Sequence, residues 1–219
     1  MKINKRLSKV ANYVSDNSNI IDVGCDHALL DIYLVENKKN INCIASDVNE
    51  GPLEQAKNNI KKYKFQNKIK TKLGDGIEPI EDNTDTVIIS GMGGTTIINI
   101  LNNKDKLINV KKVIVSPNND FPSVRKQISK LGFKIVQEEM VLDRNKFYPI
   151  IVFEKGKKKL TKLEILYGTC VKQNADYQKY LFFLKNKLIT KLNEIPDKYI
   201  LKKLYLKKEL KLLSRKIIE

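Results

Sequence analysis

The sequence predicts an α/β fold: a largely parallel sheet covered by helices on both faces, closed by an antiparallel C-terminal edge hairpin, and followed by an α-helical coiled-coil hairpin. Three observations predict it. Short apolar runs alternate with helix-like stretches up to Gly132, the pattern of a parallel sheet covered on both sides. Two strand-like runs, 133–142 and 147–153, then follow each other directly, as in a hairpin. Beyond Gly156 the β-rich pattern stops, and Tyr177, Leu181, Leu184, Leu188, Leu192 and Ile195 recur at spacings of 4, 3, 4, 4 and 3 with lysines on the other side.

The elements read in order as follows. Leu7, Val10, Ala11 and Val14 form the one-faced stripe of a first helix. Residues 19–23 are a short buried strand ending at Gly24, and a helix follows with Ala28, Leu29, Ile32, Tyr33 and Val35 as its apolar positions. Residues 41–46 make the next strand, ending at Asp47. Gly51-Pro52 then opens a helix, where proline in the first turn costs no hydrogen bond. Residues 69–73 alternate like a strand and stop at Gly74-Asp75-Gly76. The strand 86–90 ends in Gly91-Met92-Gly93-Gly94 and leads into a helix over 95–101. The strand 112–116 is stopped by Pro117, and Phe121-Pro122 starts a helix that ends near Gly132. The closing hairpin is expected to turn through Asp143-Arg144-Asn145-Lys146. Pro196-Asp197 divides two tail helices, the second carrying Leu206, Leu210, Leu213 and Ile217 on one face.

Composition narrows the function. A length of 219 residues suits one α/β domain, 1–156, with a small addition, 157–219. No apolar run is long enough to cross a bilayer, and no apolar stretch follows the basic N-terminus as a secretory signal requires. Cys25, Cys43 and Cys170 form no CxxC pair, so no zinc site or disulfide framework is expected; they read as small core or loop residues of a protein in a reducing cytosol. The net charge is +16, and residues 157–219 hold 17 basic and 6 acidic side chains, or +11 of it. That asymmetry favours a polyanionic partner over a plain solvated helix surface.

The chemistry concentrates at strand ends. Asp22-Val23-Gly24-Cys25-Asp26-His27-Ala28 sits where the first strand turns into its helix, the ligand position of an open α/β sheet. It has one glycine, not the GxGxxG of a dinucleotide site, and a carboxylate at Asp26 would repel a phosphate. Asp26 therefore suits a cationic or amine-bearing ligand such as S-adenosylmethionine, or it is a plain N-cap. Asp47 ends the second strand about 20 residues after the glycine turn, where an acidic side chain holds a ribose hydroxyl pair. Asp75 can accept from an adenine amine between Gly74 and Gly76, or belong to an ordinary Asp-Gly turn. Three glycines in 91–94 suit a close approach to ligand.

Asp22-x-Gly24-x-Asp26-His27-Ala28, Gly91-Met92-Gly93-Gly94 and Ser116-Pro117-Asn118-Asn119 resemble the TrmK family, bacterial S-adenosylmethionine-dependent tRNA (adenine-22-N1)-methyltransferases. Arg6-Leu7…Val10-Ala11 and Leu131-Gly132-Phe133…Glu138-Glu139…Tyr148 are similar as well. Two positions depart from the pattern: this chain has Asp31 after Leu30, where the family pattern implies proline, and Ser116 before Pro117, where it implies glutamine. The resemblance implies a Rossmann-like class I methyltransferase sheet. Asp22, Gly24, Cys25, Asp26 and His27 would line the methionine end of the cofactor, Asp47 with Val48 and Asn49 its ribose, and Gly74, Asp75 and Gly76 its adenine. Gly91, Met92 and Gly93 would lie near the transferred methyl. Asn118 and Asn119 would face the target base, and tRNA would be the partner. As residues, Tyr148 reads either as a ring stacking on a substrate base or as a sheet-packing tyrosine, and Arg6 either as a contact to phosphate or cofactor or as a surface arginine of the first helix.

Adenine N1 has a free lone pair and no proton to remove, so methyl transfer is expected as a direct in-line displacement with no catalytic base. The candidate catalytic residues are Asn118, for the exocyclic amine, and Asp26, for the developing positive charge. His27 is then a hydrogen-bonding residue at the helix start. N1 lies on the pairing edge, so the base must leave its stack. No metal and no membrane enter the scheme. A cytoplasmic monomer is expected, with dimerisation through the tail as the alternative.

Overall fold

The computed structural model describes residues 1–169, 171 and 174–218; Cys170 lies outside them. In chain order the helices and strands are α1 (Lys5–Asn12), β1 (Asn19–Val23), α2 (Leu29–Asn37), β2 (Asn42–Asp47), α3 (Glu50–Lys62), β3 (Ile69–Leu73), β4 (Thr86–Ser90), α4 (Gly94–Leu101), β5 (Lys112–Ser116), α5 (Phe121–Lys130), β6 (Phe133–Asp143), β7 (Lys146–Lys155), α6 (Lys162–Tyr167), α7 (Ala175–Glu194) and α8 (Ile200–Ile218). The strands form one sheet in the order β3-β2-β1-β4-β5-β7-β6. β1 to β5 pair in parallel, while β7 runs antiparallel to both β5 and β6. This is the predicted Rossmann-like sheet with its antiparallel edge.

The two-residue period of a strand sorts the core into two layers. Ile20 and Ile88 join α1, α2 and α3 through Val10, Ile32, Leu53 and Ala56 on one face. Ile21, Val87 and Ile89 join α4 and α5 through Ile97, Leu101, Val124 and Ile128 on the other. Because β1 lies between β2 and β4, successive crossovers leave it in opposite directions, which opens a crevice at its C-terminal end.

Three local expectations are corrected. The hairpin loop is two residues, not four: Arg144 and Asn145 have φ of 47° and 62°, the type I′ pattern that matches strand twist. α2 starts at Leu29, after Asp26 and Ala28 with φ of 53° and 55°. Asp26 is thus not the N-cap of that helix; Ala28 is, with no side-chain bond. A third element, α6, is absent from the sequence reading. It begins at Thr161, whose hydroxyl accepts from Glu164 N–H while the Glu164 carboxylate accepts from Thr161 N–H.

The tail helices are held against the sheet edge. Tyr177 and Leu181 of α7 and Leu213 of α8 bury against Tyr167 of α6 and Met140 of β6. Beneath them Arg125 and Glu138, both essentially without solvent contact, form an ion pair. Arg125 Nη1 also donates to the Ile165 and Leu166 carbonyls, and Thr169 N–H donates to Glu138. The pair therefore ties α5 and β6 to α6.

Candidate active site

A crevice of about 510 Å³ runs along the C-terminal ends of β1, β2, β3 and β4. The strand ends bring together Asp22, Gly24, Cys25, Asp26 and His27 after β1, Asp47, Val48 and Asn49 after β2, Gly74, Asp75 and Gly76 after β3, and Gly91 and Met92 after β4. Arg6 enters from α1. Four carboxyl groups (Asp22, Asp26, Asp47, Asp75) thus line a space with one guanidinium and one imidazole. Such a wall repels phosphate and favours a cationic ligand.

Backbone geometry shapes the opening. Gly24 has φ of 72° and donates its N–H to Ser46 O at 2.9 Å, which fastens the β1 turn to β2. A Cβ there would meet the Met92 methyl at 2.3 Å. Gly91 has φ of 91°, donates to Ser116 O, and has Arg6 Nη2 3.1 Å from where a Cβ would stand. A side chain at 91 would strain the turn and press on that guanidinium. Asp47 Oδ1 accepts from Asn49 N–H at 2.9 Å, which locks the turn at the β2 end.

The residues expected at the target base form a second group at the mouth. Arg6 Nη1 donates to Asn118 Oδ1 at 3.2 Å, and the guanidinium lies 4.6 Å from the Tyr148 ring centroid. Asn118 Nδ2 donates to Gly91 O, and Asn118 N–H to Met92 O at 2.8 Å. Asn118 is therefore oriented at both ends of its amide, with one Oδ1 lone pair unused. Asn119 Oδ1 accepts from Gly94 N–H at 2.9 Å and so caps α4 from the neighbouring loop. Gly93 is the N-cap position of α4 and is not part of the crevice wall, nor are Asn118, Asn119 and Tyr148. His27 Nε2 lies 3.4 Å from the Asp26 carboxylate, and its main-chain carbonyl accepts from Asn59.

Beneath the β1 turn is a buried acid that the sequence reading passed over. Asp31 of α2 is fully buried, and neither of its oxygens meets a hydrogen-bond donor among the described residues. Its neighbours are the Asp22 carboxyl and the Cys43 thiol. Burial raises Asp22 well above the ordinary carboxylate range, with Asp31 adding to it, and burial pushes Asp31 up to about 7. The same burial, with Asp31 and Asp22 nearby, holds the Cys25 and Cys43 thiols protonated. Asn4, Leu7, Leu29, Leu30, Thr96 and Ile100 also line the crevice without having been foreseen. Leu7 stood in the α1 stripe, so a helix edge over the strand ends was its only signal.

Residues 3–151 match the methyltransferase domain family. The chain is 34% identical over 158 residues to the tRNA (adenine(22)-N(1))-methyltransferase of Bacillus subtilis, which covers 71% of this chain and 66% of that protein. The solved TrmK of M. capricolum, in complex with S-adenosyl-homocysteine, superposes with a TM-score of 0.88 at 30% identity, covering 99% of this chain and 98% of that one. The chain belongs to the TrmK methyltransferase family. Another relative, Streptococcus pneumoniae Sp1610 in complex with S-adenosyl-L-methionine, has a TM-score of 0.87 at 31% identity and covers 99% of this chain and 100% of its own. These structures span the tail helices as well as the sheet, so the family likeness is not confined to the common methyltransferase core. Among the described residues no group of three His, Cys, Asp or Glu could hold a metal ion, and no helix is long and apolar enough to cross a membrane.

Proposed function

We propose that the chain transfers a methyl group from S-adenosyl-L-methionine to N1 of adenine 22 in tRNA. The observation that carries this is the carboxyl-lined crevice at the β1–β4 strand ends, bordered by the oriented Asn118–Arg6–Tyr148 group at its mouth. The likeness to a B. subtilis enzyme of that activity supports the choice of base and position. The crevice fits the cofactor on its own terms. Its volume suits a ligand of that size, its acidic wall suits an ammonium and a sulfonium, and a Cβ at Gly91 would crowd the guanidinium at the mouth.

The cofactor supplies a methyl group already activated by the positive sulfur. The chain's own task is then to bind, orient and desolvate. Asp22, Asp26 and His27 serve the methionyl end, Asp47 the ribose, and Asp75 the adenine. Asn118, held by Arg6 and Gly91 O, offers its unused Oδ1 lone pair to the exocyclic amine of the target base. Tyr148 and Arg6 offer a stacked face beside it. No side chain needs to take a proton, because adenine N1 carries none.

Residues 1–156 act as the methyltransferase domain and 157–219 as a basic grip on the tRNA backbone. Exposed Phe183 of α7 lies 5.6 Å from Phe147, next in sequence to Tyr148, so the α7 surface borders the mouth region. The lysines of the tail neutralise phosphates without reading sequence. A tRNA substrate places the protein in the cytoplasm. Incubating it with unmodified bulk tRNA and labelled cofactor, then mapping the methylated nucleotide, tests the proposal. Label at N1 of adenine 22 is expected; label elsewhere, or none, refutes it.

A further inference from the structure

We propose that the exposed ring of Phe183 on α7 is a stacking platform for an unstacked tRNA base beside the extruded adenine. This rests on the tRNA reading above, and it gives a base contact to a helix assigned there only to phosphates.

Phe183 is 50% exposed although its ring lies 5.6 Å from that of Phe147, centroid to centroid. One side of the ring is thus held by β7, and the rest is open to solvent. The support continues inward: Phe147 lies 5.5 Å from Tyr180, and Tyr180 6.2 Å from Phe121. Tyr180 is buried, so Phe183 rests on a fixed row of rings, and little rotamer freedom remains to be lost on binding. The row joins the mouth of the crevice at two points. Phe121 directly follows Asn118-Asn119-Asp120 and opens α5. Phe147 directly precedes Tyr148, whose ring carries the Arg6 guanidinium at 4.6 Å. A strand that has put its adenine into the mouth has this row beside it.

Charge identifies the occupant. Lys179 and Lys187, both exposed, stand four residues before and four after Phe183, so they flank it on one face of α7. The hairpin tip beside Phe147 adds exposed Arg144 and Lys146 against one acid, Asp143. Asp176, in the first turn of α7, is paired with Lys5 at 2.7 Å. An aromatic face set between cations matches a single-stranded nucleic acid, which offers a base to the ring and phosphates to the charges on either side. Extruding the adenine unstacks its neighbours, so a base in need of a new partner arises in the bound state. A second copy of this chain fits worse, because a two-fold contact through this patch would set its cations against themselves.

The test compares affinity for tRNA at fixed salt, affinity for a long RNA duplex, and calorimetric binding of S-adenosyl-homocysteine. Phe183→Ala and Phe183→Leu are expected to weaken tRNA binding roughly tenfold, and Phe183→Trp to keep it within about twofold. The duplex offers no unstacked base along its length, so its affinity is expected to hold. S-adenosyl-homocysteine affinity is expected to hold as well, which reports an intact fold. Phe183→Ala removes no charge and leaves the salt slope of tRNA binding unchanged, whereas Lys179→Gln lowers it by about 1. Wild-type tRNA affinity in Phe183→Ala or Phe183→Leu, or an equal loss on the duplex, would overturn the inference. A concentration-dependent wild-type dimer that Phe183→Ala dissolves would overturn it too, and assign the patch to a second copy. If Phe183→Ala binds tRNA normally while wild type methylates adenine 22, this inference alone falls; if wild type binds S-adenosyl-homocysteine but no tRNA, the tRNA reading falls with it.

Discussion

The Arg125–Glu138 pair offers the sharpest energetic test of how the tail is attached. Arg125 is 0% exposed and Glu138 2%, with Nη2–Oε1 at 2.5 Å and Nε–Oε1 at 3.0 Å. Replacing Glu138 with Gln leaves a guanidinium that cannot lose its proton inside the protein. Breaking a buried pair in this way costs about 3–5 kcal/mol, against a total stability of about 5–15 kcal/mol. With a urea m-value of about 2 kcal/mol/M, the midpoint should drop by roughly 2 M. Arg125→Met should behave differently, because the carboxyl left behind can take up a proton. Burial already raises Glu138 above its ordinary value, with Arg125 opposing that rise. A carboxyl whose folded pKa is raised loses stability as pH climbs above its unfolded value of about 4.5. The Arg125→Met deficit should therefore shrink on going from pH 7 to pH 5, while the Glu138→Gln deficit persists. Urea titrations at the two pH values check this. A Glu138→Gln loss below about 1 kcal/mol, or equal pH responses of the two variants, would refute the argument.

Other outcomes follow from the same geometry. Asn118→Ala should lower methyl transfer by roughly 10–100-fold, equivalent to one or two charge-assisted contacts, while cofactor affinity holds; unchanged turnover and tRNA binding would remove its assigned role. If the tail lysines neutralise about five phosphates, raising salt from 50 to 200 mM should weaken tRNA binding by roughly 500-fold, and a flat response would refute the grip. Glu164 is held down at about 2, first by Thr161 N–H in the capping box, against its burial and with help from Thr169 and Lys158. A lowered acid contributes stability above its unfolded pKa and loses it as pH falls toward 2, so Glu164→Gln should cost roughly 1–2 kcal/mol at pH 6 and almost nothing near pH 2. Thermal melts across that range measure it.

Much of the site was legible because chemistry and turns coincide. Each of Gly24, Asp47, Gly74-Asp75-Gly76 and Gly91 ends an apolar run, so finding the strands located the residues that line the crevice. The same logic placed Asn118 beyond β5, though not its amide orientation. That orientation comes from Arg6 and Gly91 O, 112 and 27 residues away in sequence. Asn119 illustrates the limit: the family resemblance implied that it faces the target base, and only the fold shows its Oδ1 engaged on Gly94 N–H. α6 escaped notice because six residues give too little periodicity to distinguish from a loop.

By itself the order of residues determined the alternation of strands and helices, the acidic strand ends and the basic tail, since these depend on local period and composition. Three-dimensional packing alone decided which charges meet: Asp31 with Asp22, Arg125 with Glu138, Arg6 with Asn118 and Tyr148. The physical reason is range. Hydrophobic period and turn propensity act over a few neighbouring residues, but the energy of a charge depends on burial and on partners that chain folding brings from distant segments.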